Sequence, residues 1–315
     1  MRDLRIIFMG TPDFAVSTLK ALVENNYHIV GVITAPDKPA GRGRKLHESA
    51  VKQYATSQNL TVFQPTNLKD EVFLNDLLSL KANLQIVVAF RMLPKVVWQM
   101  PEHGTFNLHA SLLPNYRGAA PINWAIINGE TKTGVSTFFI DDNIDTGEMI
   151  LQEAIAIDSE ENAGSLHDKL MHLGSELVLK TVALIQKGPV KTTPQIASKD
   201  IKTAYKLNKD NCKIDWDDSL NNIHNKIRGL SPYPGAWSFL MNNNNTVNVK
   251  ILKSCKEFFE HNAPIGSIIS NKENLKISVK NGYIIIEELQ LPGKRNMDVK
   301  SLMNGYTFDV DAKML

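Results

Sequence analysis

Short Val/Ile/Leu-rich runs alternate with amphipathic helical patterns from Leu4 to Lys187, and this alternation limits the chain to few folds. The apolar runs are LRIIFMG (4–10), YHIVGVIT (27–34), LTVFQ (60–64), LQIVVAF (84–90), GTFNLHA (104–110) and GVSTFFI (134–140). Helical periodicity falls between them, at 13–25, 49–58, 70–80 and 119–128, and a long amphipathic helix is expected over 163–187. Unbroken apolar runs are the mark of strands buried on both faces, and helices between strands make neighbouring strands parallel. The expectation for 1–187 is an α/β domain with a doubly wound, mostly parallel Rossmann-like sheet. In such a sheet the ligand crevice lies beyond the carboxyl ends of the strands.

The pattern then changes. Residues 188–205 carry two prolines and no apolar period, which predicts a linker. Within 206–315 one helix, over 220–230, accompanies five short β runs separated by turns such as NNNN (242–245) and NG (281–282). Several short strands around one helix predict a small β-barrel of OB type. This last region holds 15 basic against 12 acidic residues, while the whole chain has a formal charge of +2. Contacts with nucleic acid must therefore come from local basic patches.

Several classes are excluded. No stretch approaches the roughly 18 apolar residues of a membrane span, and the charged start MRDLR reads as the lead into a strand rather than a signal peptide. Two cysteines, Cys212 and Cys255, cannot make a disulfide framework, which fits a reducing cytoplasm. MGTPDF has one glycine where a dinucleotide fingerprint needs three, and AGRGRKL lacks the Lys-Ser/Thr ending of a phosphate loop. DDNIDTGE has the oxygen density of a calcium loop, but Gln152 stands where the closing glutamate would be. No metal is expected.

Asn107 and His109 lie two apart at the end of one predicted strand, so their side chains share a face. Asp145 follows the next strand and is expected in a loop opening at the same edge. Carboxamide and imidazole N–H groups can donate to a carbonyl oxygen that becomes negative on attack. A carboxylate can orient the imidazole or accept a proton from an attacking amine. No serine, cysteine or threonine stands as an obvious nucleophile, so direct acyl transfer between two bound substrates fits the trio. Taken singly, each residue also has a structural use: a strand histidine, a turn asparagine, a solvated aspartate.

The order NxHxSLLPxYRGAxP, here from Asn107 through Pro121, followed by Asp142 to Gly147, resembles the signature of folate-dependent formyltransferases. Segments 6–16, 33–46 and 223–237, with a terminal β domain, are similar to the tRNA-directed branch of that family. The resemblance implies formyl transfer from 10-formyltetrahydrofolate to the α-amine of methionine on initiator tRNA, a step of translation initiation. It implies Asn107, His109 and Asp145 as the catalytic residues. It implies a folate site at Ser111, Leu112, Leu113 and Pro114, with Phe90, Met92 and Leu93 after the fourth strand and Asp141, Asp142 and Ile144. The stretch Phe90–Pro94 departs from the Tyr-Gly-Leu-Ile-like loop of many relatives.

The excursion at 34–46 carries Lys38, Arg42, Arg44 and Lys45 against the single Asp37. Its prolines and glycines predict a mobile basic loop, and the resemblance gives it tRNA binding, with Arg42 foremost. Lys206 and Lys209 are expected to contact tRNA from the terminal domain, with Lys250 and Lys253 beside them. A cytoplasmic, monomeric enzyme without membrane contact is the expectation. The rival readings are a formyltransferase or hydrolase acting on a small substrate, and a nonenzymatic RNA-binding protein. Neither accounts for the trio, the basic loop and the β domain together.

Overall fold

The computed structural model describes residues 1–40, 45–196 and 200–315. The chain divides into two compact units, one of residues 1–118, 133–155 and 167–203, the other of 119–132, 156–166 and 204–315. Arg42 and Arg44 lie outside the described residues.

In the first part of the chain come β1 (Arg5–Gly10), α1 (Asp13–Glu24), β2 (His28–Ile33), β3 (Lys38–Ala40) and β4 (Lys45–His47). There follow α2 (Ala50–Ser57), β5 (Val62–Phe63), α3 (Glu71–Ser79), β6 (Leu84–Val88), α4 (Lys95–Trp98), β7 (Thr105–His109) and β8 (Arg117–Gly118). After these come α5 (Pro121–Ile127), β9 (Lys132–Phe139), β10 (Met149–Ala156), α6 (Ala163–Lys187) and β11 (Thr203–Ala204).

The first unit is built on a seven-stranded sheet in the order β10-β9-β7-β6-β1-β2-β5. Its central strands are parallel. Ile6, Ile7, Phe8 and Met9 on β1 are all fully buried, so both faces of that strand are covered. Helix starts follow the local chemistry: the Ser49 and Asp70 side chains accept from the N–H groups of Lys52 and Phe73.

The structure departs from the sequence expectation in two places. β9 runs antiparallel to β7, with Phe106 opposite Phe139 and His109 opposite Ser136. The carboxyl end of β9 therefore lies beside the start of β7, and the loop carrying Asp145 does not open at the edge where β7 ends. A parallel pair needs a crossover helix on its own sheet, whereas α5, the helix between these strands, belongs to the second unit. The excursion at 34–46 is also more ordered than an open loop at its base, since β3 and β4 pair antiparallel from Lys38–His47 to Ala40–Lys45. Below them the Asp37 carboxylate accepts from Lys52 Nζ at 2.5 Å and Gln64 Nε2 at 2.7 Å. Those two contacts, Lys52 first, hold its pKa below the ordinary value.

The second unit adds α7 (Leu220–Leu230), β12 (Ala236–Asn242), β13 (Asn245–Phe258), β14 (Ile268–Ser270) and β15 (Leu275–Val279). It closes with β16 (Gly282–Gln290), β17 (Met297–Asp298), α8 (Val299–Met303) and β18 (Lys313–Met314). The strand order is β14-β15-β16-β13-β12-β18, with antiparallel pairing. Lys313 on β18 bridges to Ser267 beside β14, so the sheet is nearly closed into a barrel. The Asn run is a two-residue hairpin: Asn243 and Asn244 have φ of 53° and 57°, the left-handed pair that joins twisted strands tightly. Leu220, Ile223, Ile227 and Leu230 form the buried stripe of α7 within the barrel core. Gly229 lets α5 approach α7, since a Cβ there would stand 2.7 Å from Ile127 Cγ1. Among the described residues no helix is long and apolar enough to cross a membrane.

Candidate active site

β7 carries the first two groups. Asn107 and His109 share a face of this strand, and the Asn107 Oδ1 is buried without a hydrogen-bond partner among the described residues. Such an orphaned acceptor costs stability unless a ligand uses it. His109 is 6% exposed, and its Nε2 lies 2.8 Å from the carbonyl oxygen of Tyr116. A carbonyl only accepts, so in this orientation Nε2 carries the hydrogen and Nδ1 is left facing Asp145. Asp145 Oδ2 is 3.7 Å from Nδ1, beyond hydrogen-bond length but close enough for an ion pair with an imidazolium. The ring is therefore oriented by the Tyr116 carbonyl, where the sequence suggested the carboxylate.

Asp145 reaches His109 although β9 ends at the other edge. The 140–148 loop must turn back, and Asp145 itself takes a left-handed φ of 55°, a conformation aspartate tolerates better than most residues. Gly147 makes the return possible: a Cβ there would fall 1.7 Å from the Phe139 carbonyl oxygen, which no side chain can occupy. The carboxylate is fixed by the Gly118 N–H, 2.9 Å from Oδ2.

The expected folate residues differ in what they offer. Ser111 and Leu113 are buried. The Ser111 hydroxyl donates to the Asn115 carbonyl at 2.7 Å, and Gln152 Nε2 donates to the Leu113 carbonyl at 2.8 Å. The Ser111–Pro114 turn is thus rigid, with Leu112 and Pro114 half-buried. Leu93 is buried in the core with Ile7 and Met9, whereas Met92 and Ile144 are 67% and 62% exposed apolar groups. Phe90 is half-buried beneath the Arg91 guanidinium, 5.6 Å from the ring centre. Asp141 accepts from Thr146 Oγ1 and the Asn143 N–H, which shapes the loop, and Asp142 pairs with Lys95 at 3.1 Å. Among the described residues no group of three His, Cys, Asp or Glu could hold a metal ion.

The second unit holds a cavity of about 620 Å³ lined by Lys206, Lys209, Lys250, Asn248, Tyr233 and Trp237, among others. Lys209 Nζ stands 5.4 Å from the Trp237 ring centre, and Lys250 Nζ donates to the Pro234 carbonyl at 2.7 Å. Tyr233 is 81% exposed. Ammonium groups beside aromatic rings form a surface suited to a phosphodiester chain and its bases. Lys253, by contrast, is paired with Glu287 at 2.9 Å. Lys38 is exposed on β3. Burial raises the pKa of Cys212 at the cavity wall and of Cys255, which disfavours a thiolate role for either.

Sequence reasoning missed three supporting groups: the Tyr116 carbonyl, the Gly118 N–H and Gln195. The first two are backbone atoms that any residue would supply. Gln195 sits in a stretch without periodicity, and only its place after Pro194 marks it.

The formyl transferase family model matches residues 4–182, and the formyl transferase C-terminal domain model matches 206–307. A methionyl-tRNA formyltransferase of Flavobacterium johnsoniae is 63% identical over 314 residues, covering 100% of both chains. One from Bacteroides fragilis is 52% identical over 317 residues, covering 99% of this chain and 98% of the relative. Among solved structures, an N-formyltransferase from Helicobacter canadensis, in complex with folinic acid and dTDP-3-aminofucose, superposes with a TM-score of 0.65 at 23% identity. That match covers 90% of this chain and 98% of that one. HypX from Aquifex aeolicus, in complex with tetrahydrofolic acid, gives 0.65 at 18% identity, over 96% of this chain and 47% of its own. These two structural likenesses speak for the fold alone. With matches that span both domains and full-length relatives at more than half identity, the chain belongs to the formyl transferase family and, within it, to the methionyl-tRNA formyltransferases.

Proposed function

We propose that this enzyme transfers the formyl group of 10-formyltetrahydrofolate to the α-amine of methionine on initiator tRNA. Asn107, His109 and Asp145 are the catalytic groups of this proposal. The observation that carries it is the unpartnered, buried carboxamide oxygen of Asn107 on the strand where His109 meets Asp145. The names of the full-length relatives support the choice of substrate.

The attacking amine must be neutral, and a free α-amino group has a pKa near 8. An ester on the adjacent carbon lowers it further, so little energy is needed for deprotonation. The larger demand is the oxyanion that forms as nitrogen bonds to the formyl carbon. Asn107 Nδ2 donates to that oxygen, while Oδ1 accepts from an amine N–H. His109 donates to the oxyanion from Nδ1 when the ring carries both hydrogens, with Asp145 3.7 Å away to balance that charge. Asp145 then takes the amine proton through water. The old C–N bond breaks with its electron pair going to the folate nitrogen, which receives the proton.

Met92 and Ile144, exposed apolar groups on two loops of the first unit, would cover the pterin rings, against the rigid turn of Ser111 to Pro114. Phe90, Leu93, Asp141 and Asp142 hold those loops in shape. Lys206 and Lys209, with Lys250, would take the tRNA backbone, and Lys38 and Lys45 with Arg42 and Arg44 the acceptor end. The enzyme acts in the cytoplasm as a monomer, one chain carrying both kinds of surface.

The test is transfer of labelled formyl from 10-formyltetrahydrofolate to charged initiator tRNA, with elongator methionyl-tRNA and a small amine as controls. Strong preference for the initiator form is expected. Equal use of a small amine would favour the small-substrate reading.

A further inference from the structure

The segment after α6 is more than a tether. Thr193 exchanges two backbone hydrogen bonds of 2.9 Å with Met149, the first residue of β10. Two residues on, half-buried Gln195 reaches into the site loops with its carboxamide. Its Nε2 donates to the carbonyls of Asp145 at 3.0 Å and Gly147 at 2.8 Å. Its Oε1 accepts from Arg117 Nε at 3.1 Å and Nη2 at 2.6 Å. Both donors and both lone pairs of the amide are used.

The two loops it joins are those that present groups to His109. Arg117 lies between Tyr116, whose carbonyl holds the imidazole, and Gly118, whose N–H holds the Asp145 carboxylate. Asp145 has a left-handed backbone, which persists only where its surroundings hold it. Gln195 binds the carbonyl of that same residue.

We infer that Gln195 is a positioning residue for formyl transfer, setting Asp145 and the Tyr116–Gly118 turn relative to His109. The inference rests on Asp145 being catalytic, as proposed above. A displacement of about 1 Å at a reacting group can cost on the order of a hundredfold in rate.

The test uses the full chain and charged initiator tRNA. Gln195→Ala should lower kcat by about tenfold to a hundredfold, with KM for both substrates unchanged to within about twofold. Gln195→Glu should do no better, since its carboxylate accepts from Arg117 but cannot donate to the two carbonyls. On an Asp145→Asn background, Gln195→Ala should remove less than about threefold more activity, because the two act as a unit. Thermal melting checks the fold, and Gln195→Met, which keeps the side-chain volume, serves if the alanine variant melts early. Near-normal kcat in Gln195→Ala or Gln195→Met, or losses that multiply with Asp145→Asn, would overturn the inference while the catalytic reading stands. Near-normal activity of Asp145→Asn alone would instead remove the reading on which it depends.

Discussion

The rim of the parallel sheet and the basic cavity of the barrel place polar groups in opposite ways. At the rim, His109 is 6% exposed and fixed by one carbonyl, Asp145 by one N–H, and Gln195 by four hydrogen bonds. In the barrel, Lys206 and Lys209 are exposed, and Lys209 is steadied mainly by the face of Trp237. Fixed groups suit a reaction in which charge develops at one atom, since donors already in place need no reorganisation. Exposed ammonium groups suit a long, uniformly charged chain whose recognition depends on releasing counterions. A residue at the rim should therefore act on kcat, and a residue in the cavity on affinity and its salt dependence.

The largest expected effect falls at the rim. His109→Ala should lower kcat by about 10²–10³, the range for losing one oxyanion donor, while the folate Kd stays unchanged. A rise in KM at constant kcat would put His109 on the affinity side and break the contrast. Next comes the cavity. Replacing Lys206, Lys209 and Lys250 with Gln should flatten the plot of log affinity for tRNA against log salt by about 2–3, one phosphate contact each, and leave folate binding intact. An unchanged slope would mean that the cavity does not meet the tRNA backbone.

The geometry of the candidate site was legible in the sequence where a side chain had to be of one kind. The two-residue spacing of Asn107 and His109 put both on one face of β7, and GVSTFFI predicted β9. Its direction could not be read, because pairing is decided by where α5 packs, and α5 meets α7 through Gly229 far along the chain. The barrel was legible from its Asn turns, with φ values of 53°, 57° and 62° at Asn243, Asn244 and Asn281. β17, β18 and α8 were missed, since two to five residues are too few for a pattern. Gln195 escaped because a polar residue in an aperiodic stretch looks the same whether it is solvated or bonded to two loops.

A smaller effect concerns pH and lies away from both surfaces. His224 on α7 is 2% exposed, with Nε2 3.3 Å from Glu160 and Nδ1 3.3 Å from the Ser254 hydroxyl. Burial lowers its pKa below 6.5, outweighing Glu160, and Arg228 and Lys256 push the same way as burial. The unfolded chain then binds more protons than the folded one, so stability should be full above pH 6.5 and fall as pH drops below it. His224→Asn should lessen that fall in thermal melts between pH 7.5 and 5.5. A slope identical to the wild type would show that other groups control it. Transfer rates corrected for the folded fraction should not change, which separates the barrel core from the rim.

Asn107 is the group on which the proposed transfer depends most directly. Single-turnover transfer of labelled formyl to initiator methionyl-tRNA by Asn107→Ala, with 10-formyltetrahydrofolate binding measured in parallel, isolates its role. Loss of one oxyanion donor predicts a rate lower by about 10²–10³, or roughly 2.7–4 kcal/mol, with binding retained. A rate close to that of the wild type would contradict the account.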